Sequence, residues 1–229
     1  MIKICIFPWE VAKENMKILS FDLDGTIITK KFVDTVWLEG LPKLYAEKNG
    51  LSLGKAKEYI FSEYEKIGDG RIEWYDIKYW FKKFNLGDNW QGLLESYKDK
   101  IELYPEVKSV LRSLYQERKL VLSSNAKREF IDIELRESKI GKYFSQVFSS
   151  TSDFGIVKKT GEFYRRICDI LRIEPSEMIH IGDHKEFDYL IPRKMGVTCF
   201  YLDREGKEEG EFVVKDLKDF QEKISRFLE

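Results

Sequence analysis

Two carboxylates two residues apart, Asp22 and Asp24, stand where the short apolar run 17–21 (Lys-Ile-Leu-Ser-Phe) stops, just ahead of Gly25 and Thr26. A run of that texture reads as a buried strand entering a loop. Residues i and i+2 of an extended strand point to the same side. Gly25 lets the backbone turn sharply there. Paired carboxylates can act as nucleophile and general acid/base, and can hold a divalent cation. A plain surface turn is the bland alternative, since Asp and Gly are ordinary turn residues. Position favours chemistry, because ligands of open α/β sheets bind at the carboxyl ends of the strands.

The elements that must position this pair alternate along the chain. Leu120-Val121-Leu122, Val147-Phe148, Met178 to Ile181, Thr198 to Tyr201 and Phe212 to Val214 read as strands. Helical patterns fall between them, at 107–114, 127–137, 160–172 and 216–228. Strands alternating with helices imply βαβ units and a parallel sheet. Residues 33–102 break that alternation with helical texture alone. Ser52 is an N-cap candidate, and Leu53, Ala56, Ile60, Tyr64 and Ile67 recur at helical spacing. Gly68-Asp69-Gly70 interrupts, then Trp74, Ile77, Phe81 and Phe84 form a second stripe that stops near Gly87. The expectation is an α/β fold, a Rossmann-like parallel sheet flanked by helices, with an α-helical domain inserted after the first strand. The divisions read as 16–29 and 104–229 for the core, 30–103 for the insert, and 1–15 for an N-terminal extension.

Composition narrows the function classes. The 229 residues carry 39 Lys and Arg against 40 Asp and Glu, a formal charge of −1. That balance argues against a general nucleic-acid binder. No apolar run approaches the roughly 18 residues of a membrane span. The first fifteen residues do not read as a signal peptide, since their apolar stretch contains Pro8 and runs into Glu10. Cys5, Cys168 and Cys199 are odd in number and widely spaced, which fits a reducing compartment, so a cytoplasmic location is expected. His180 and His184 are the only histidines, too few for a multi-histidine metal site. Charged residues are 34% of the chain, with four Gln and five Asn, a pattern that resembles thermophile proteins.

Asp-Leu-Asp-Gly-Thr after a hydrophobic strand resembles the first motif of the haloacid dehalogenase superfamily, whose members are mostly phosphatases. The similarity extends over roughly residues 17–203 in four pieces. Ser124, before Asn125 at the end of 120–124, matches the family's Ser/Thr, with Ser123 the competing assignment. Lys158 matches the family lysine ahead of a helix, with Lys159, which stands where proline is usual, the competing assignment. Gly182-Asp183 with Asp188 five residues further matches the second acidic loop, with Phe187 where the family often has Asn. The insert matches a helical cap.

The resemblance implies roles. Asp22 would attack phosphorus and form an aspartyl-phosphate. Asp24 would protonate the leaving oxygen and then deprotonate the hydrolytic water. Ser124 and Lys158 would bind phosphoryl oxygens. Mg²⁺ would be held by the Asp22 carboxylate, the Asp24 backbone carbonyl and Asp183. Asp188 would orient Lys158 or a water on the metal. The implied substrate is a small phosphorylated metabolite. Of the cap tryptophans Trp37, Trp74, Trp80 and Trp90, packing in a small helical core is the favoured reading, and lining a pocket for a ring-bearing leaving group the sharper one. Lys30 and Lys31, at the hinge, could reach a second anionic group.

The nearest rival is a 2-haloacid dehalogenase, which shares the nucleophile but needs neither acid nor Mg²⁺. Asp24, Asp183 and Asp188 together favour a phosphatase. Phosphomutase or phosphonatase activity is a further variant. A receiver-type signalling domain is disfavoured by the long insert. A non-catalytic interaction module is disfavoured because all the expected side chains are present.

Overall fold

Six short apolar runs become the strands of one parallel sheet. The computed structural model describes residues 17–227, so Cys5 and the extension over 1–15 lie outside the described residues. The strands are β1 (Ile18–Phe21), β2 (Leu120–Ser124), β3 (Gln146–Ser149), β4 (Met178–Gly182), β5 (Thr198–Leu202) and β6 (Val213–Val214). Their spatial order is β3-β2-β1-β4-β5-β6, and every neighbouring pair is parallel. Leu19 aligns with Leu120 on one side and Ile179 on the other. Strands β1, β2 and β4 are buried along their whole length. A sheet covered on both faces needs strands that are apolar on both sides, so these runs show little polar alternation.

The insert that follows β1 holds α1 (Lys31–Thr35), a π-helical turn (Val36–Gly40), α2 (Leu41–Asn49), α3 (Leu53–Ile67), α4 (Ile77–Lys83) and α5 (Trp90–Ser96). Ser52 caps α3 by accepting from the Lys55 amide at 3.4 Å. Asp76 caps α4 and Asn89 caps α5 in the same way. Each cap satisfies an amide that the first turn leaves without a partner. The two ends of this helical insert leave the sheet side by side. Ile28 and Leu103 form an antiparallel bridge, and the Thr29 amide donates to the Glu102 carbonyl at 2.9 Å.

The remaining helices are α6 (Val107–Glu117), α7 (Arg128–Ser138), α8 (Ser150–Asp153), α9 (Gly161–Leu171), α10 (Ile191–Lys194) and α11 (Leu217–Ile224). Alternate strand residues feed two cores. Leu19, Phe21, Leu122 and Ile181 pack with Leu111 and Phe220 on one face. Ile18, Val121 and Met178 pack with Phe163 and Ile167 on the other. A third core, within the insert, centres on Ile60, Trp80 and Phe81 and takes Phe130 and Ile133 from α7. Trp80 is fully buried, as a packing role requires, and its indole N–H donates to the Trp74 carbonyl at 3.2 Å. No helix among the described residues is long and apolar enough to cross a membrane.

Candidate active site

The chain runs outward from β1 through β2 to β3, then returns to the other side of β1 to lay down β4, β5 and β6. The reversal lies between β1 and β4, and a crevice outside the strand carboxyl ends at such a point is where α/β sheets bind ligands. Asp22 follows β1 and Asp183 follows β4. The Asp22 amide donates to the Ile181 carbonyl at 2.9 Å, which locks the two strand ends together.

Asp22 is buried at 6% exposure. Its Oδ2 accepts from the Thr26 hydroxyl at 3.0 Å, and its Oδ1 accepts from Lys159 Nζ at 2.5 Å. Lys159 is 1% exposed and also pairs with Asp188, while its Nζ donates to the Ser123 carbonyl at 3.3 Å. Asp188 rests on a buried polar chain. His180 Nε2 lies 3.0 Å from Asp188 Oδ1, His180 Nδ1 2.8 Å from the Ser20 hydroxyl, and that hydroxyl 2.9 Å from Ser123 Oγ. Burial holds His180 below its ordinary pKa, so it stays neutral, with Nε2–H assigned as the donor to Asp188. Burial also opposes ionisation of Asp188, but Lys159 and His180 outweigh it and hold that carboxyl well below the usual range.

Asp22 goes the other way. Burial first, then its carboxylate neighbours Asp188 and Asp183, push it up to about 8, although Lys159 opposes this. Asp22, Asp183 and Asp188 each offer a carboxylate oxygen within 4.8 Å of the others. An all-oxygen set with surplus negative charge suits a hard divalent cation such as Mg²⁺. Two glycines make this crowding possible. Gly25 has φ +87°, and a Cβ there would lie 2.2 Å from Asp183 Oδ2. A Cβ on Gly182 would lie 2.3 Å from the Asp188 carboxyl carbon.

Asp24 meets a partner that the sequence reading missed. Glu134 of α7 is 0% exposed, and its carboxyl faces that of Asp24. Asp24 Oδ1 and both Glu134 oxygens find no donor among the described residues. Burial raises both carboxyls, Asp24 to about 6 and Glu134 well above the usual range. A proton held on Glu134 and donated to Asp24 satisfies one oxygen of each carboxyl; that bond lowers the Asp24 carboxyl, which burial nonetheless leaves at about 6. The signal was present in the sequence, since Glu134 falls on the inward stripe of α7 with Phe130, Ile131 and Ile133.

Of the six residues singled out from sequence, Asp22, Asp24, Ser124, Asp183 and Asp188 line one cavity of about 490 Å³. Ser124 does so while Ser123 turns away toward Ser20. Lys158 does not join them. It pairs with Asp69 of the insert at 2.6 Å, and the ammonium at Asp22 belongs to Lys159. The chain bends at 157–158, so a one-residue change of register there exchanges a buried lysine for a half-buried one. Asp188 accordingly holds Lys159, not Lys158. Nor are the hinge lysines free for a second anion. Lys30 sits on Asp183 at 2.6 Å and Lys31 on Glu102 at 2.7 Å. Trp37 and Trp74 line the cavity, so the tryptophans divide between packing and lining.

The sequence model of the haloacid dehalogenase-like hydrolases matches residues 16–196. A GMP/IMP nucleotidase of Escherichia coli is 21% identical over 174 residues, covering 76% of this chain and 77% of that protein. A putative pyrophosphatase of Clostridium perfringens is 25% identical over 229 residues, with 92% and 99% covered. Among solved structures, an HAD phosphatase from Thermococcus onnurineus superposes with a TM-score of 0.78 at 25% identity, covering 90% of this chain and 97% of that one. A 2-haloacid dehalogenase from Pseudomonas syringae shares the fold, with a TM-score of 0.65 at 18% identity and 93% and 99% covered. The match over residues 16–196, on a fold common to these structures, makes the chain a member of the haloacid dehalogenase-like hydrolase family, and an enzyme.

Proposed function

We propose that this hydrolase is a Mg²⁺-dependent phosphatase that releases phosphate from a small monoester through an aspartyl-phosphate on Asp22. The observation that carries this reading is the buried cluster at the β1/β4 reversal, with Asp22 bonded to Lys159 and a second carboxyl two residues on that burial raises to about 6. Relatives whose names specify a nucleotidase, a phosphoglycolate phosphatase and a pyrophosphatase support phosphate release.

Asp22, Asp183 and the Asp24 carbonyl would hold the cation, with Asp188 behind them. When bound, the cation offsets repulsion between an anionic nucleophile and an anionic substrate. Asp22 Oδ attacks phosphorus, and the bond to the leaving oxygen breaks as Asp24 donates its proton there. Asp24, now a carboxylate, takes a proton from the water that cleaves the acyl phosphate. Lys159 Nζ and the Ser124 hydroxyl stabilise the charge that spreads over the phosphoryl oxygens. Lys159 therefore takes the role expected of Lys158. Residues 30–103 act as the cap that excludes water from the cleft.

The test is phosphate release from p-nitrophenyl phosphate and a panel of phosphorylated metabolites. Turnover is expected with Mg²⁺, to vanish with a chelator, and to return on adding Mg²⁺ back. Turnover of 2-chloropropionate without metal, and of no phosphate ester with it, would favour the dehalogenase instead. Asp24 argues against that alternative, since a halide leaving group needs no acid.

The Lys/Glu-rich surface pairs in networks. Glu95 meets both Lys98 and Arg136, and Glu63 meets both Lys66 and Lys83. Such networks support heat tolerance more than isolated pairs do. A melting temperature above the mesophile range of about 45–65 °C is expected by calorimetry.

A further inference from the structure

The cavity above Asp22 has two unlike halves. The floor is polar and belongs to the sheet. The wall is aromatic and comes mostly from the insert, through Trp37, Leu38, Trp74 and Tyr75, with Phe130 of α7 completing it. This wall is built before any ligand arrives. Trp37 stacks on Phe130 at 5.3 Å between centroids and 22° between planes. Tyr64, which also lines the cavity, lies 6.2 Å from Trp37 and 5.8 Å from Trp74, and its hydroxyl donates to the Trp37 carbonyl at 3.2 Å. The Tyr75 hydroxyl donates to the Asp69 carbonyl at 3.1 Å, in the loop that Lys158 holds. Trp37 sits in the π-helical turn Val36–Gly40, an irregularity frequent at functional sites. Leu38, 45% exposed, is a large apolar side chain facing this space without cover.

Charge says what does not bind against that wall. The cavity lining carries five aspartates (Asp22, Asp24, Asp34, Asp183, Asp188) and three lysines. Each lysine is already paired: Lys30 with Asp183, Lys159 with Asp22 and Asp188, and Lys127 with Asp76 at 3.2 Å. No arginine lines it among the described residues. With Lys159 and the cation engaged by the phosphate itself, a leaving group with its own carboxylate or second phosphate would have to break the Lys30–Asp183 or Lys127–Asp76 pair to find a counter-ion. An uncharged planar ring needs no counter-ion and gains stacking area on preordered aromatics at low entropic cost. The volume is within the range of ligand pockets that hold molecules larger than a phosphate alone.

We infer that the substrate's alcohol part carries an uncharged planar ring, of the size of a nucleobase or fused aryl group, stacked on the Trp37–Trp74 wall. The inference rests on the phosphatase reading for the position of the phosphate, and the ring site is argued from the wall alone. Stacking on aromatic side chains contributes roughly a 5- to 150-fold effect per ring.

The experiment pairs substrates that differ only in the ring. With Mg²⁺, kcat/KM is measured for a nucleoside 5′-monophosphate beside ribose 5-phosphate, and for 2-naphthyl phosphate beside glycerol phosphate and phosphoglycolate. The ring-bearing member of each pair is expected to be favoured about 10-fold or more, with most of the difference in KM. Trp37→Ala is expected to reduce that ratio at least threefold, and Trp37→Tyr, which keeps a stacking face, to retain most of it. Separately, quenching of intrinsic tryptophan fluorescence by a nucleoside without phosphate is followed in the unmodified protein and needs no turnover. Saturable quenching is expected in the millimolar range or below. Phosphate release with equal or reversed preference within the pairs overturns the ring site and leaves the phosphatase reading standing. No phosphate release from any ester overturns the phosphatase reading, and the quenching then decides the ring site alone. Absence of saturable quenching up to solubility overturns it.

Discussion

Asp22→Asn is expected to lose essentially all phosphate release, by about 10⁴-fold or more, while remaining folded. Asn keeps the shape of the side chain and its oxygen can still accept from Thr26, but an amide is no nucleophile at phosphorus. The fold survives because Lys159 keeps Asp188 as its partner. Stability at neutral pH is expected to hold or rise. The Asp22 carboxyl is pushed up by burial from 3.8 to about 8, so its charged form is disfavoured in the folded state. For an acid shifted that way, stability is full below the unfolded pKa and declines as pH rises toward the folded one. The metal-free wild type should therefore lose stability between about pH 4 and pH 8 through this group, and Asp22→Asn should flatten that slope. Thermal melts across that window, run beside phosphate release with Mg²⁺, check both halves. Wild-type turnover in the variant would mean that the nucleophile lies elsewhere.

Lys159→Met should damage both stability and activity, and Lys158→Met neither by much. Lys159 is buried between two carboxylates. Removing one partner of a buried pair leaves uncompensated charge and costs about 3–5 kcal/mol. For a chain of this size that is a fall of roughly 6–20 °C in melting temperature. Loss of the ammonium at the phosphoryl oxygens adds about 10²–10³-fold in rate. Lys158 instead meets Asp69 across the cleft, where Asp69 is largely exposed. Such a pair contributes about 0–1 kcal/mol, so less than about a tenfold change in rate follows from its loss. Parallel melts and steady-state kinetics on the two variants give the ranking. If Lys158→Met were the more damaging, the arrangement around Asp22 would be wrong.

These two lysines show where sequence reasoning stops. The family resemblance implied that a lysine ahead of α9 belongs to the site. Which of two adjacent lysines it is depends on the backbone bend at 157–158, and residue types do not encode that bend legibly. The serines differ in kind. Ser123 and Ser124 alternate across a strand, so one of them had to face the cleft and the other the polar chain behind it. Glu134 is a third case. Its place on an inward helical stripe was visible, but its meaning required knowing that α7 packs beside the loop after β1. The tryptophans were visible as a group and separable only by packing. Trp80 points into the insert's own core, whereas Trp37 and Trp74 remain at its edge.

What the amino-acid sequence determined alone was the class of fold and the chemistry on offer. Apolar runs separated by helical stripes specify a covered parallel sheet, and the order of the acidic loops along it specifies which strand ends carry carboxylates. The first is a local pattern with a period, and periodicity survives without coordinates; the second was legible as short motifs that resemble those of a known family. The pairings of Lys159 with Asp188, Asp24 with Glu134 and Trp37 with Phe130 were decided by tertiary structure alone. Each joins residues distant in the chain, and each depends on a shift of an ångström or a single residue of register, which only packing sets.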